Sequence, residues 1–153
     1  MQGGLPLKRF AWLGSLVVLA VILNGCSRAA NSGGKTGGAA PRTVQVTANE
    51  FAFSPGQISL KTGETVVLEV QNQGTVLHDL TVIKMPVGDE KELAGVHHDM
   101  SGTDMKDVTV HVAAEAGQTG KVQFRPTQAG TYTFLCTQPA HKDSGMTGTI
   151  VVE

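Results

Sequence analysis

The chain has 153 residues, with 12 basic against 13 acidic side chains and a net charge of -1. That suits one small domain, argues against a multidomain enzyme, and offers no phosphate-neutralising surface for nucleic acid. Apolar residues make up 41%, aromatics only 5%, and there are 19 glycines, a balance that leans towards globular β structure with many turns.

Lys8 and Arg9 precede residues 10–23, a charge-free apolar run that ends in Leu23-Asn24-Gly25-Cys26. Basic, apolar and small-residue parts in this order are those of a secretory signal. The run is shorter than the about 20 residues a spanning helix needs, so residues 1–25 are expected to be a cleaved signal peptide rather than an anchor. The ending resembles the lipobox of bacterial lipoproteins, in which the cysteine is acylated and becomes the new N-terminus. Asn24 stands where a small residue is usual. The resemblance makes Cys26 the expected lipidation site and implies a lipid anchor on the periplasmic or cell-surface side of a bacterial membrane. A free or disulfide-bonded thiol is the alternative. After the cysteine, residues 27–42 hold no large apolar side chain, so residues 26–42 read as a flexible tether.

Residues 43–153 are expected to form the folded domain. Alternating or β-branched runs at 43–48, 57–61, 65–72, 78–83, 108–113, 120–124, 130–136 and 148–152 lie between turn signals such as Ser54-Pro55-Gly56 and Thr62-Gly63. This is the pattern of an all-β sandwich or barrel with about eight strands. Alternation gives Tyr132, Phe134 and Cys136 a shared face, so Cys136 points with the core residues of its strand. His111 is out of phase with Val110 and Val112 and reads as a surface residue. Residues 84–107 form a long insertion loop, with one helical turn expected at 89–94. Loops of this length are either functional or variable insertions.

The most informative stretch is Cys136-Thr137-Gln138-Pro139-Ala140-His141-Lys142-Asp143-Ser144-Gly145-Met146, a C-x4-H-x4-M pattern at a strand end. A thiol, an imidazole and a thioether on one short loop can meet at one ion if the loop doubles back, which Pro139 and Gly145 permit. His78 begins a strand upstream and supplies a second imidazole if its strand neighbours that of Cys136. Two histidines, a thiolate and a weak axial methionine are the ligand set of a blue-copper centre. Zinc more often recruits a second cysteine or leaves methionine out.

From Thr43 to Glu153 the sequence resembles the cupredoxins, the plastocyanin, azurin and auracyanin group. The resemblance rests on Glu50-Phe51-Ala52-Phe53-Ser54-Pro55, Gly63-Glu64-Thr65-Val66, Asn72-Gln73-Gly74, His78-Asp79-Leu80, and Tyr132-Thr133-Phe134-Leu135-Cys136 through Ile150. The ligand spacing looks closest to the auracyanins. The resemblance implies a Greek-key β-sandwich holding one type 1 copper, with His78, Cys136 and His141 as equatorial ligands and Met146 axial. It further implies a monomeric one-electron carrier rather than an enzyme, serving redox partner proteins through an exposed His141 edge. Asp79 departs from the Asn usual in plastocyanin-type members, and Lys142 departs from an apolar docking patch.

The same ligands would serve a copper carrier or storage protein of the cell envelope. A binuclear copper centre would need a second cysteine in the loop, and a multicopper oxidase would need His-x-His pairs and more than one domain. A Cys26–Cys136 disulfide is not enforced by any geometry. His97-His98-Asp99-Met100, with Asp104 and Met105, form a second group of potential ligands in the long loop. It reads either as an auxiliary copper-acquisition site or as a solvated insertion. The Glu50-Phe51-Ala52-Phe53 segment reads as core and turn, not as a site.

Overall fold

A computed structural model describes residues 39–98, 100 and 105–153. The expected signal peptide, Cys26, most of the tether, Asp99 and Asp104 lie outside the described residues. Ten strands run from Arg42 to Val152: β1 (Arg42–Asn49), β2 (Ala52–Ser54), β3 (Gln57–Leu60), β4 (Val66–Asn72), β5 (His78–Ile83), β6 (Val87–Ala94), β7 (Val108–Ala114), β8 (Thr119–Pro126), β9 (Gly130–Leu135) and β10 (Thr147–Val152). They form two five-stranded sheets, ordered β2-β1-β4-β8-β6 and β3-β10-β9-β5-β7. Pairing is antiparallel except for β1 with β4 and β10 with β3. The fold is the all-β Greek-key sandwich expected.

The period of two in the sequence becomes the core. Val46, Leu68, Val70, Val122 and Phe124 of the first sheet meet Leu80, Val82, Val110, Val112, Phe134 and Ile150 of the second, all essentially fully buried. Their intervening neighbours along β4 and β8 stay partly exposed, as alternation requires. The interior strand β5, flanked by β9 and β7, is the exception, with His78 through Val82 buried on both faces. Asp79 and Thr81 therefore sit in the interior despite their polarity, and something other than solvent must satisfy them.

Two strands were not expected. Residues 89–94, read as a helical turn, belong instead to β6, an edge strand paired with β8 and exposed along most of its length. Its Asp-Glu-Lys-Glu-Leu-Ala composition favours helix, but pairing with β8, which shifts register around Asp89 at φ 57°, and the Asp89–Arg125 ion pair at 2.7 Å tie it to the sheet. Residues 89–94 are exposed on both faces of the strand, so no apolar side chain is needed at every second position and the sequence carried no strand signal. The three-residue β2 is too short to show a period. The rest of the long connection closes with a 3-10 turn at Met105–Asp107.

Candidate metal centre

Strand register sets up the site. Val82 pairs with Phe134 on the inner face of the second sheet. Two residues further along these antiparallel strands, Leu80 and Cys136 share that face, and His78 lies one step beyond. His78 and Cys136 are fully buried. The loop from Cys136 to Met146 then joins β9 to β10 and turns back on itself. His141 N–H donates to Gln138 O at 3.1 Å, Ser144 N–H to Ala140 O at 3.0 Å and Met146 N–H to His141 O at 3.0 Å, and Cys136 N–H donates to Met146 O at 3.1 Å. The reversal places Ala140 at φ 67° and Gly145 at φ 100°. Glycine accepts that region freely, whereas Ala140 costs about 1 kcal/mol there, repaid by the loop's hydrogen bonds.

The loop brings the expected residues together. Cys136 Sγ lies 3.9 Å from His78 Nδ1 and 3.4 Å from His141 Nδ1, and all three donor atoms fall within 4.8 Å of one another. Around one ion with metal–sulfur and metal–nitrogen distances of about 2.3 and 2.0 Å, near-trigonal angles put sulfur and nitrogen about 3.7 Å apart. The observed separations straddle that value. Met146 completes the loop, fully buried in the core. Two imidazoles, a thiol and a thioether suit copper better than harder ions.

Protonation follows from burial. Burial and then the Asp79 carboxylate push the Cys136 thiol up to about 12, so the metal-free protein carries it as S–H at neutral pH. Burial, and then the nearby His141 charge, lower the His78 pKa from its ordinary value, which keeps that ring neutral and ready to bind.

Four neighbours hold these candidate donors in place. Asp79 is fully buried. Its Oδ1 accepts from Thr137 N–H at 2.7 Å, and its Oδ2 accepts from Thr137 Oγ1 at 2.8 Å and Thr81 Oγ1 at 2.7 Å. Burial works against its charge, but hydrogen bonds from His111, Cys136, Thr81 and Thr137 outweigh it and hold the carboxyl well below the usual range. Asp79 thus locks the residue after Cys136, and the departure from Asn keeps an acceptor there.

Glu50 Oε1, bonded by Thr75 N–H and by Thr75 Oγ1 at 2.9 Å, stands 4.0 Å from His78 Nε2. That nitrogen is buried and has no hydrogen-bond partner among the described residues. The Thr75 bonds, backbone first, hold the Glu50 carboxyl at about 2. Gly74 closes this corner, since a Cβ there would meet His78 Nε2 at 2.6 Å and Glu50 Oε1 at 2.7 Å. Phe51, turned out by a φ of 64°, lies edge-on to the His141 ring with centroids 5.3 Å apart and is 47% exposed. The reading of Glu50–Phe53 as core and turn alone is therefore corrected. Only Phe53 is core, while Glu50 and Phe51 flank the two imidazoles, because a positive-φ turn that sequence does not reveal swings them there.

Of the second group of potential ligands, the two histidines point apart. His97 points to solvent, 92% exposed and 3.9 Å from Glu92. His98 turns inward against His111, Asp79 and Gln138. His111, read as a surface residue, is only 22% exposed at its side chain, because residues 95–98 fold over the outer face of its strand.

Residues 40–153 match the copper-binding proteins of the plastocyanin/azurin family. The chain belongs to this family. The cupredoxin is 29% identical over 119 residues to the copper-resistant cuproprotein CopI of Rubrivivax gelatinosus, covering 74% of this chain and 67% of that protein. It is 30% identical over 122 residues to auracyanin-B of Chloroflexus aurantiacus, covering 72% of this chain and 52% of the relative. Among solved structures, auracyanin B superposes with a TM-score of 0.58 at 25% identity, over 73% of this chain and 88% of that one. A dithionite-reduced auracyanin from Roseiflexus castenholzii gives 0.57 at 22% identity, over 74% and 98%, and shares the fold. The cofactor of this cupredoxin is copper, and the convergent donors fit a single ion.

Proposed function

We propose that His78, Cys136 and His141 hold the copper, with Met146 as a weak axial donor, in a one-electron carrier tethered outside the cytoplasm through acylated Cys26. The observation that carries this reading is the buried convergence of the three donor atoms on a loop fixed by its own backbone hydrogen bonds. Bound copper supplies a one-electron couple between two oxidation states that favour different geometries. The chain's part is to keep the donors still. Met146 O pins the Cys136 backbone, Asp79 pins Thr137, and Glu50 and Gly74 wall in the His78 ring. Little then rearranges when charge changes. His141 is the half-exposed ligand, and Phe51 beside it gives the rim an apolar contact for a redox protein. Four protein donors leave no position for a substrate, so the role is not enzymatic, and the protein acts as a monomer.

Copper carriage or storage in the envelope is the second reading, favoured by the likeness to two proteins named copper-resistant cuproprotein. The burial of His78, Cys136 and Met146 favours retention over exchange. The deciding experiment mixes copper-loaded protein first with a one-electron redox protein and then with a copper-free acceptor. A carrier of electrons is reduced and reoxidised over many cycles with its copper content unchanged. Loss of copper to the acceptor at a rate matching or exceeding electron exchange would favour carriage. Cys26→Ser should release the domain from membranes while leaving the copper spectrum intact.

A further inference from the structure

We infer that Asp79, His98 and His111 form a second metal site, for a borderline divalent ion such as Zn(II), on the face of β5 opposite the copper centre. Successive strand residues point to opposite faces, so Asp79 leaves the sheet on the side that His78 does not. His111 pairs with Thr81 in the neighbouring strand and shares the face of Thr81 and Asp79. His98 arrives from the segment after β6, which is tied down where Val96 N–H donates to Ala113 O at 3.3 Å.

The three donor atoms form a compact triangle. His98 Nε2 lies 3.1 Å from His111 Nε2, His111 Nε2 lies 3.4 Å from Asp79 Oδ2, and His98 Nε2 lies 3.7 Å from the same oxygen. The point equidistant from the corners of such a triangle is about 2.0 Å from each, the bond length of zinc to imidazole nitrogen and carboxylate oxygen. Two imidazole nitrogens at that separation cannot both carry hydrogen. A metal between them lets both be unprotonated.

The donors are held in advance. Hydroxyls of Thr81 and Thr137 and the Thr137 N–H fix the Asp79 carboxylate. On the far side of its ring, His98 Nδ1 is 3.3 Å from the Gln138 side-chain amide. That amide can present its oxygen to an Nδ1–H without changing shape, the outer partner a metal-bound histidine needs. Asp79 is fully buried, while the His98 and His111 side chains are 9% and 22% exposed, so an ion enters past His111 and retains positions for water. Two histidines and one carboxylate suit borderline transition ions rather than calcium or magnesium. The site shares no donor with the proposed copper ligands, so it stands or falls separately from the electron-carrier reading.

The test loads the full chain with one equivalent of copper, equilibrates it with Zn(II), removes free metal, and counts both metals per chain. The expected result is one zinc alongside one copper with the copper spectrum unchanged. His98→Ala and His111→Ala should each lose the zinc and keep the copper, while His97→Ala should keep both. The inference is overturned if the copper-loaded protein takes up no zinc, if zinc enters only as copper leaves, or if both single variants bind zinc as the parent does. X-ray absorption at the zinc edge of the parent protein gives a check that needs no variant. Nitrogen and oxygen neighbours including imidazole are expected, and a sulfur neighbour at about 2.3 Å would contradict the assignment.

Discussion

The backbone N–H of Cys136 donates to the carbonyl oxygen of Met146 at 3.1 Å, so the first and last residues of the metal loop are tied to each other before any ion binds. The side chains of both are buried on that tie. In the proposed assignment Met146 is a soft, weak donor that stabilises the oxidised copper only slightly. Met146→Leu removes that donation and should raise the reduction potential, whereas Met146→Gln supplies an oxygen donor and should lower it. Each tenfold change in the relative affinity for the two oxidation states moves a one-electron potential by about 59 mV. Voltammetry of both variants checks the order. A Leu variant with a potential below that of the Gln variant would remove Met146 from the axial position.

Asp79→Asn keeps an oxygen acceptor for Thr137 N–H but removes a buried negative charge beside the centre. That charge favours the more positive oxidation state, so the variant's potential should rise. Because Asp79 is fully buried, the shift should change little with ionic strength, unlike that of an exposed charge. Voltammetry at low and high salt, with stoichiometric copper and no other metal, measures both features. An unchanged potential would mean that the ionised carboxylate does not act on the site.

Much of this was legible in the sequence, and the reasons for the rest are local. The ligand loop could be read because Cys136, His141 and Met146 are close in sequence and chemically specific. His78 could be paired with them because β5 and β9 are strongly patterned strands. Asp79 stood out only as a departure from Asn, and its burial comes from Thr137, His98 and His111 gathered around its carboxylate. No periodicity encodes that gathering. Glu50 and Phe51 were hidden by a turn with positive φ at Phe51, a conformation that a phenylalanine does not announce. His111 alternated outward, as strand geometry demands, but outward on this strand means under another segment rather than into water.

Gly74 allows His78 and Glu50 to approach closely. Gly74→Ala would place a methyl group 2.6 Å from His78 Nε2, and a buried ring has little room to retreat. Overpacking of this kind costs about 1–3 kcal/mol, more than the about 0.4–1 kcal/mol gained by restricting the unfolded chain. The variant should melt at a lower temperature and bind copper at least about tenfold more weakly, equivalent to about 1.4 kcal/mol. Thermal denaturation of the metal-free protein and competition titration against a chelator measure the two effects. Parent-like copper affinity would show that the His78 ring is not confined by this corner.

Copper binding should release a proton. With the Cys136 thiol pushed up to about 12, the metal-free protein is protonated there at neutral pH, yet the thiolate is the metal ligand. Affinity should therefore climb about tenfold per pH unit from neutral to mildly alkaline conditions. Calorimetry in two buffers of different ionisation heat counts the protons directly, and about one is expected from the thiol. In Cys136→Ser this proton should vanish from the count.

The convergence of His78, Cys136 and His141 on one copper is tested most directly by the visible and EPR spectra of the copper-loaded protein beside those of Cys136→Ser. The parent should show an intense thiolate-to-copper band and a mononuclear Cu(II) signal at one copper per chain. Cys136→Ser should lose the band while His78 and His141 still retain some copper. An equally intense band in that variant at full copper occupancy, or no such band in the fully loaded parent, would contradict the site.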